Sequence, residues 1–225
     1  MTAPPGQADK AFAKIESGTA EIVGADALRG MLAEQRPLNI KLGVDPTAPD
    51  IHLGHTVGLE KLRQFQDLGH RAVLIIGDFT AMIGDPSGRS ATRPQLTHDE
   101  VMNNAKSYQQ QAFKILDPQR TRIVFNGEWF EMMPFEEVIR LNSCVTLQQM
   151  LQREDFKERM QKDVPIHAHE IQYPIMQGWD SVVVKADVEI GGTDQLFNIL
   201  VGRDLQKNQG MRQQAGVLVP ILEGL

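Results

Sequence analysis

Apolar positions recur along this chain with two periods, and the period changes mark its elements. Residues 8–18 and 25–34, the second carrying Asp26-Ala-Leu-Arg-Gly-Met-Leu-Ala-Glu, space their apolar residues as short helices. Leu38 to Val44 alternates as a strand. Asp45-Pro46-Thr47-Ala48-Pro49-Asp50 breaks every period and reads as a loop. Leu53 to Leu68 returns to helical spacing through Leu59, Leu62 and Phe65, and Gly69 ends it. Ala72 to Gly77 is an unbroken apolar run of strand length, suited to a sheet covered on both faces. Strand, helix and strand thus follow one another, which predicts a right-handed crossover between parallel strands. The class is α/β.

Beyond residue 80 the alternation is less regular. The pattern predicts a loop at 85–90, a long helix at 98–116 and a strand at 122–125. Residues 134–161 read as helical and charged, with Arg153-Glu-Asp-Phe-Lys-Glu-Arg as a solvated face. A helix at 167–180 is interrupted by Pro174, and Val182 to Ile190 alternates as a strand. Gly191-Gly192-Thr193-Asp194-Gln195 is a loop feeding a helix to about Leu205, and a last strand spans 217–222. A sheet strand that runs out in Glu-Gly-Leu should lead onward, so the chain is expected to be a piece of a longer one.

Composition narrows the picture. With 225 residues, 41% of them hydrophobic and 23% charged, the chain suffices for one large α/β domain with an insertion. No stretch approaches the roughly 18–20 apolar residues of a membrane span, and the polar, Pro-rich N-terminus has no secretory core. Cytoplasmic residence is expected. One cysteine, Cys144, excludes an internal disulfide framework and a multi-cysteine zinc site; it reads as a small buried residue rather than a nucleophile. A net charge of −6 argues against this chain alone holding nucleic acid strongly.

Four constellations carry candidate chemistry. Asp45-Pro46-Thr47 with His52, Gly54 and His55 surrounds the start of a helix, where free N–H groups and the helix dipole favour phosphate; the plain alternative is capping of the loop. Gly77-Asp78-Phe79-Thr80 through Gly84-Asp85-Pro86-Ser87-Gly88 follows a buried strand, where open α/β sheets bind ligands; Asp85 would suit an ammonium group, or a simple Asp-Pro-Ser-Gly turn. Tyr173, Gln177 and Asp180 fall within about 60° around a helix at 100° per residue and offer a phenol, an amide and a carboxylate; a polar surface is the alternative. Gly192, Asp194 and Gln195 lie in a glycine-rich segment that would admit a ribose, or merely turn the chain and cap a helix. Four such groups at strand ends and on a flanking helix are poorly explained as turns. His167 and His169 read as flanking a helix start. The dinucleotide and P-loop glycine signatures are missing, which lowers support for those enzymes.

Together, Lys41-Leu-Gly-Val-Asp-Pro-Thr-Ala-Pro-Asp-Ile-His-Leu-Gly-His, Ile83-Gly-Asp-Pro-Ser-Gly, Tyr173-Pro-Ile-Met-Gln-Gly-Trp-Asp and Gly191-Gly-Thr-Asp-Gln resemble, in order and spacing, the bacterial tyrosyl-tRNA synthetases of class I. The similarity runs from about residue 10 to the end. It implies a Rossmann-like parallel sheet with helices on both faces, an N-terminal helical segment at 1–36, and a catalytic domain from 37 with a mainly helical connective insertion at about 90–165. It implies that Thr47, His52 and His55 hold the ATP phosphates, that Gly54 lets adenine pack, and that Gly192 and Asp194 bind ribose. Asp85, Tyr173 and Gln177 would hold the tyrosine ammonium, Asp180 its hydroxyl and Gln195 its carboxylate, with Asp45 near the reacting groups. ATP with Mg2+ would be substrate, tRNA(Tyr) the acceptor, and no prosthetic group or protein metal site is expected. A homodimer through residues around 115–160 is implied as well. Two departures stand out. Lys41 occupies the place of a second phenol-binding tyrosine, so it is expected to point elsewhere and leave Asp180 with another partner. The family's mobile Lys-Met-Ser-Lys-Ser loop and its anticodon-binding part lie outside this chain, so weak substrate binding and poor activation are expected of it. Tryptophanyl-tRNA synthetase, and a non-catalytic RNA-binding relative, are the alternatives.

Overall fold

The computed structural model describes residues 6–48, 50–51, 53–85 and 97–222. The first half runs α1 (Gln7–Glu16), β1 (Glu21–Val23), α2 (Ala25–Ala33), β2 (Asn39–Val44), α3 (Leu53–Asp67), β3 (Arg71–Ile76), α4 (Asp78–Ile83), α5 (His98–Ala112) and β4 (Thr121–Phe125). Short helices α6 (Gly127–Phe130), α7 (Phe135–Asn142), α8 (Leu147–Met150) and α9 (Glu154–Gln161) come next. Then follow α10 (Ala168–Val183), β5 (Val188–Gly192), α11 (Leu196–Asn208) and β6 (Ala215–Val219).

Among the described residues, six strands form one sheet in the order β1-β6-β5-β2-β3-β4. Every pairing is parallel except that of β1 with β6, where Ile22 lies opposite Val217. The sheet is covered on both faces, as the apolar run of β3 requires. Ala72, Leu74 and Ile76 enter a large core with Leu59, Leu62 and Phe65 of α3 and with Leu28, Phe12 and Ile15. Val73 and Ile75 face the other way, onto Val124, Val184 and Ala186. This is the Rossmann-like layering expected from the sequence.

The structure departs from the sequence reading at several elements, among them the last strand, which spans Ala215–Val219 rather than 217–222. Strand β1 was not foreseen, because three residues carry no usable period and its partner lies nearly two hundred positions away. Residues 78–83, to which the sequence pattern assigns no element, are helical; Gly77 precedes the helix, and Gly84 ends it at φ 86°. Helix α10 continues through Pro174 to Val183, so the strand expected from Val182 begins only at Val188. A proline removes one helix donor, and here the loss is outweighed by packing. Ideal Cβ atoms on Gly178 would lie 3.0 Å from the Gly202 Cα, so α10 and α11 meet backbone to backbone. Last, Arg153 and Arg159 do not lie on a solvated face. Both are buried, as is Phe156 between them, because Arg153 turns inward to Asp85 and Asp155 at the start of α9, and Arg159 turns inward to the buried Glu170. Arg159 donates to both Glu170 oxygens and so ties α9 to the first turn of α10.

Candidate functional site

Strand β2 is where the order of the parallel sheet reverses: β3 and β4 continue to one side, β5 and β6 to the other. The crevice beyond the C-terminal ends of β2 and β5 is where such sheets take ligands. A cleft of about 770 Å³ opens there. Asp45, Thr47, Gly54, His55, Asp85, Tyr173, Gln177, Asp180, Gly192, Asp194 and Gln195 all line it. The four separated segments therefore converge on one cavity. His52 and Pro86-Ser87-Gly88 lie outside the described residues.

The floor of the cleft is a polar network. Asp45, just past β2, accepts from the Thr80 hydroxyl at Oδ1 (2.9 Å) and from the Tyr173 hydroxyl at Oδ2 (2.8 Å). Gly77 makes this possible: a Cβ there would sit 2.0 Å from Asp45 Oδ1 and 2.3 Å from Thr80 Oγ1. Burial, and then the Asp45 carboxylate, push the Tyr173 phenol pKa well above its ordinary value. The phenol therefore stays protonated as a donor.

Asp180 is buried at the end of the same helix face. Trp129 Nε1 donates to its Oδ1 (3.0 Å) and Asn126 Nδ2 to its Oδ2 (3.4 Å). Burial raises its pKa to about 7, against the opposing pull of Lys41 and of those two donors. These are the partners that the sequence left unidentified. Both stand at or just after the end of β4, the same strand-end position that flagged the other segments, but an Asn-Gly pair carries no further mark.

Lys41 does point elsewhere. The alternation of β2 sends Ile40 and Leu42 into the large core and Lys41 toward α10. Its fully buried ammonium donates to Gln177 O (2.7 Å), Ser181 Oγ (2.8 Å) and Glu189 Oε1 (2.8 Å). It thus underpins the helix that carries Tyr173, Gln177 and Asp180.

At the opposite wall the end of β5 and a single 3-10 turn, Thr193–Gln195, bring Asp194 and Gln195 inward. A Cβ on Gly192 would meet Asp194 Oδ1 at 2.5 Å, so the glycine is needed for the carboxylate to fold back over the strand end. Burial raises the Asp194 pKa, with the nearby Asp85 charge adding to it and the Gln195 hydrogen bond opposing it. Gln195 Nε2 donates to Asp85 Oδ2 (2.9 Å) and Asp194 Oδ2 (3.2 Å). Around the start of α3, Asn104 of α5 donates to Pro46 O (2.9 Å), and Gln111 Oε1 accepts from Ile51 N (3.1 Å). The edge of one ring, His55 or Tyr108, meets the other at 5.6 Å between centroids. Helix α5 thereby fixes the loop that leads to Gly54 and His55.

Arg153 and Asn198 are the clearest omissions of the sequence reading. Arg153 pairs with Asp85 (3.6 Å) and Asp155 (2.8 Å) and donates to Asn198 Oδ1 (3.0 Å). The signal is weak: Phe156, in the first turn of α9 and three positions after Arg153, marks the inward side.

The model of the tRNA synthetases class I (W and Y) matches residues 33–225. The tyrosine–tRNA ligase of Carboxydothermus hydrogenoformans is 56% identical over 214 residues, covering 93% of this chain and 52% of that protein. The tyrosine–tRNA ligase of Coxiella burnetii is 55% identical, covering 96% of this chain and 54% of its own length. The chain spans about half the length of the curated relatives it matches. Among solved structures, a C-terminally truncated mitochondrial tyrosyl-tRNA synthetase from Coccidioides posadasii superimposes with a TM-score of 0.80 at 26% identity, over 95% of this chain and 67% of that one.

Proposed function

Because the chain belongs to the class I tRNA synthetases of the W and Y family, we propose that it is the tyrosine-activating part of a tyrosine–tRNA ligase. One observation carries this reading: Tyr173, Gln177 and Asp180 on one helix face the same cleft as Gly54, His55, Gly192 and Asp194. An amino-acid subsite and a nucleotide subsite thus share one crevice.

In the proposed reaction a tyrosine carboxylate oxygen attacks the α-phosphorus of ATP. The new bond makes tyrosyl-adenylate, and the breaking P–O bond leaves its electrons on pyrophosphate. A ribose hydroxyl at the tRNA(Tyr) terminus then attacks the tyrosyl carbonyl and AMP departs. No enzyme nucleophile takes part; rate comes from alignment and from donors aimed at developing charge.

Each residue has a place in this. Thr47, His52 and His55, with the N-terminus of α3, hold the phosphates and the departing pyrophosphate. Gly54 leaves room for adenine, and Gly192 and Asp194 take the ribose. Asp85, Tyr173 and Gln177 receive the tyrosine ammonium, and Gln195 orients its carboxylate. Asp45, held between Thr80 and Tyr173, stands near the reacting groups. Asp180 accepts from the tyrosine hydroxyl; phenylalanine would leave that buried acceptor short of a donor. Magnesium enters as the counter-ion of ATP, held largely by phosphate oxygens and water.

Pairing of two copies through the region around 115–160 is part of the proposal. Met132, Phe135, Ile139 and Leu147 are exposed there at 83, 77, 55 and 58%, an apolar set of the kind that marks an interface. Sedimentation of a species of twice the chain mass is the expected result, and monomer alone would refute pairing. Cytoplasmic residence belongs to the same reading; among the described residues no helix is long and apolar enough to cross a membrane.

The decisive experiment is tyrosine-dependent exchange of pyrophosphate into ATP by the complete gene product. Exchange with tyrosine and not with tryptophan or phenylalanine is expected. Exchange driven by tryptophan, or by no amino acid, would overturn the reading.

A further inference from the structure

A relay of amide groups runs behind the cleft and has a fixed direction. It starts at Arg153, whose side chain is only 4% exposed. Nη1 of Arg153 donates to Asn198 Oδ1 (3.0 Å). The two hydrogens of Asn198 Nδ2 then go to Gln177 Oε1 (2.8 Å) and Gln195 Oε1 (2.9 Å). Each glutamine in turn presents its nitrogen: Gln195 to Asp85 Oδ2 (2.9 Å), Gln177 to Glu189 Oε1 (3.1 Å). Arg153 Nη2 closes the circuit at the other oxygen of Asp85 (3.6 Å).

The polarity of this chain is set at both ends. A primary amide can turn either end toward a neighbour, but a guanidinium has donors only and an ionised carboxylate acceptors only. Asn198 must therefore give Arg153 its oxygen and the glutamines its nitrogen, while the carboxylates take the glutamine nitrogens, so both ends demand the same direction. Arg153 itself is held in place by a second carboxylate, Asp155 at 2.8 Å from Nε. Its helix is anchored at the far end by the buried Arg159–Glu170 pair.

We propose that Arg153 is a positioning residue for the ammonium end of the amino-acid subsite, holding Asn198 against Gln195 and Gln177 and fixing the Asp85 carboxylate between Arg153 and Gln195. This rests on the reading of Asp85 as the ammonium acceptor. The distinctive consequence is selectivity. Losing Arg153 leaves the Asn198 oxygen without its charged donor and frees Asp85 to rotate, so ligands that carry the ammonium suffer and a ligand that lacks it does not.

Titration of wild type and Arg153→Met with tyrosine, tyramine and 3-(4-hydroxyphenyl)propanoate tests this. The expected result is an about tenfold rise in the dissociation constants of tyrosine and tyramine, with less than twofold change for the des-amino acid. Arg153→Lys keeps the charge but cannot serve Asn198 and two carboxylates together, so an about threefold loss is expected. Asn198→Asp keeps a partner for Arg153 and ends donation to both glutamines; the same selective loss is expected, which preserves the test if Arg153→Met fails to fold. Equal weakening of all three ligands, or no change for any, would overturn the proposal. A ligand-free measurement separates it from the functional reading. In wild type the side-chain amide protons of Asn198 and Gln195 should exchange slowly with solvent, and in Arg153→Met quickly. Should wild type bind no tyrosine, the functional reading falls, while unchanged exchange in Arg153→Met sinks the relay by itself.

Discussion

Replacing Asp180 with asparagine should change the pH dependence of stability more than stability itself. The carboxyl is raised from 3.8 to about 7, mainly by burial. In the unfolded chain it loses its proton near the ordinary value; in the folded protein it keeps it to about 7. Across that interval the folded state binds more protons, so stability is full below the lower value and falls as pH rises, levelling off above the upper one. At about 1.4 kcal/mol per pH unit the whole interval corresponds to about 4 kcal/mol, and the part between pH 5 and pH 8 to about 3 kcal/mol. Asparagine keeps an oxygen for Trp129 but sets an NH2 against the Asn126 amide, which lies 3.4 Å from the native oxygen. That cost, about 1 kcal/mol, does not depend on pH. Urea unfolding of both proteins from pH 5 to pH 8 should therefore show Asp180→Asn gaining about 3 kcal/mol relative to wild type. Asp155 and Asp194, whose pKa values are also raised by burial, titrate in both proteins and cancel. Parallel curves, within about 0.5 kcal/mol across the range, would refute the argument that burial raises the Asp180 pKa.

Three further outcomes are expected. Lys41→Met leaves Glu189 in a buried site without its cation and should cost about 3–5 kcal/mol in chemical denaturation, with Lys41→Met/Glu189→Gln recovering at least half; a single variant costing under about 1 kcal/mol would contradict this. Tyr173→Phe removes the hydroxyl that donates to Asp45, and the same measurement should show a loss of about 1–3 kcal/mol. Two helical glycines should respond with opposite signs: Gly178→Ala forces a Cβ to 3.0 Å from the Gly202 backbone and should destabilise by about 1–3 kcal/mol. Gly30→Ala meets only the Arg212 side chain at 3.7 Å and should raise thermal stability by about 0.5–1 kcal/mol.

How much was legible in advance follows from what each feature depends on. Strands β2 and β3 and helix α3 were read almost to the residue, because their periods are long enough to repeat and the faces they bury are local properties. A proline and three consecutive valines suggest an earlier end to helix α10 than the structure shows. The close contact of Gly178 with Gly202 that keeps the helix going involves a residue 24 positions away. The charged stretch at 153–159 reads as solvated because charge is usually outside. Only the positions of Asp85, Asn198 and Glu170 show that its two arginines face inward.

The sequence alone determined the class of fold, the β2-α3-β3 unit and eleven cleft-lining residues that the structure places together, because backbone period, glycine and proline breaks, and strand-end placement are written locally. The tertiary structure decided everything that rests on meeting partners: the Asn126 and Trp129 donors on Asp180, the inward turn of Lys41, the antiparallel β1 edge and the arginine behind Asp85. The reason is physical. A side chain's type fixes which hydrogen bonds and charges it can offer, but burial and partner geometry, set by contacts between distant segments, fix which of them it makes.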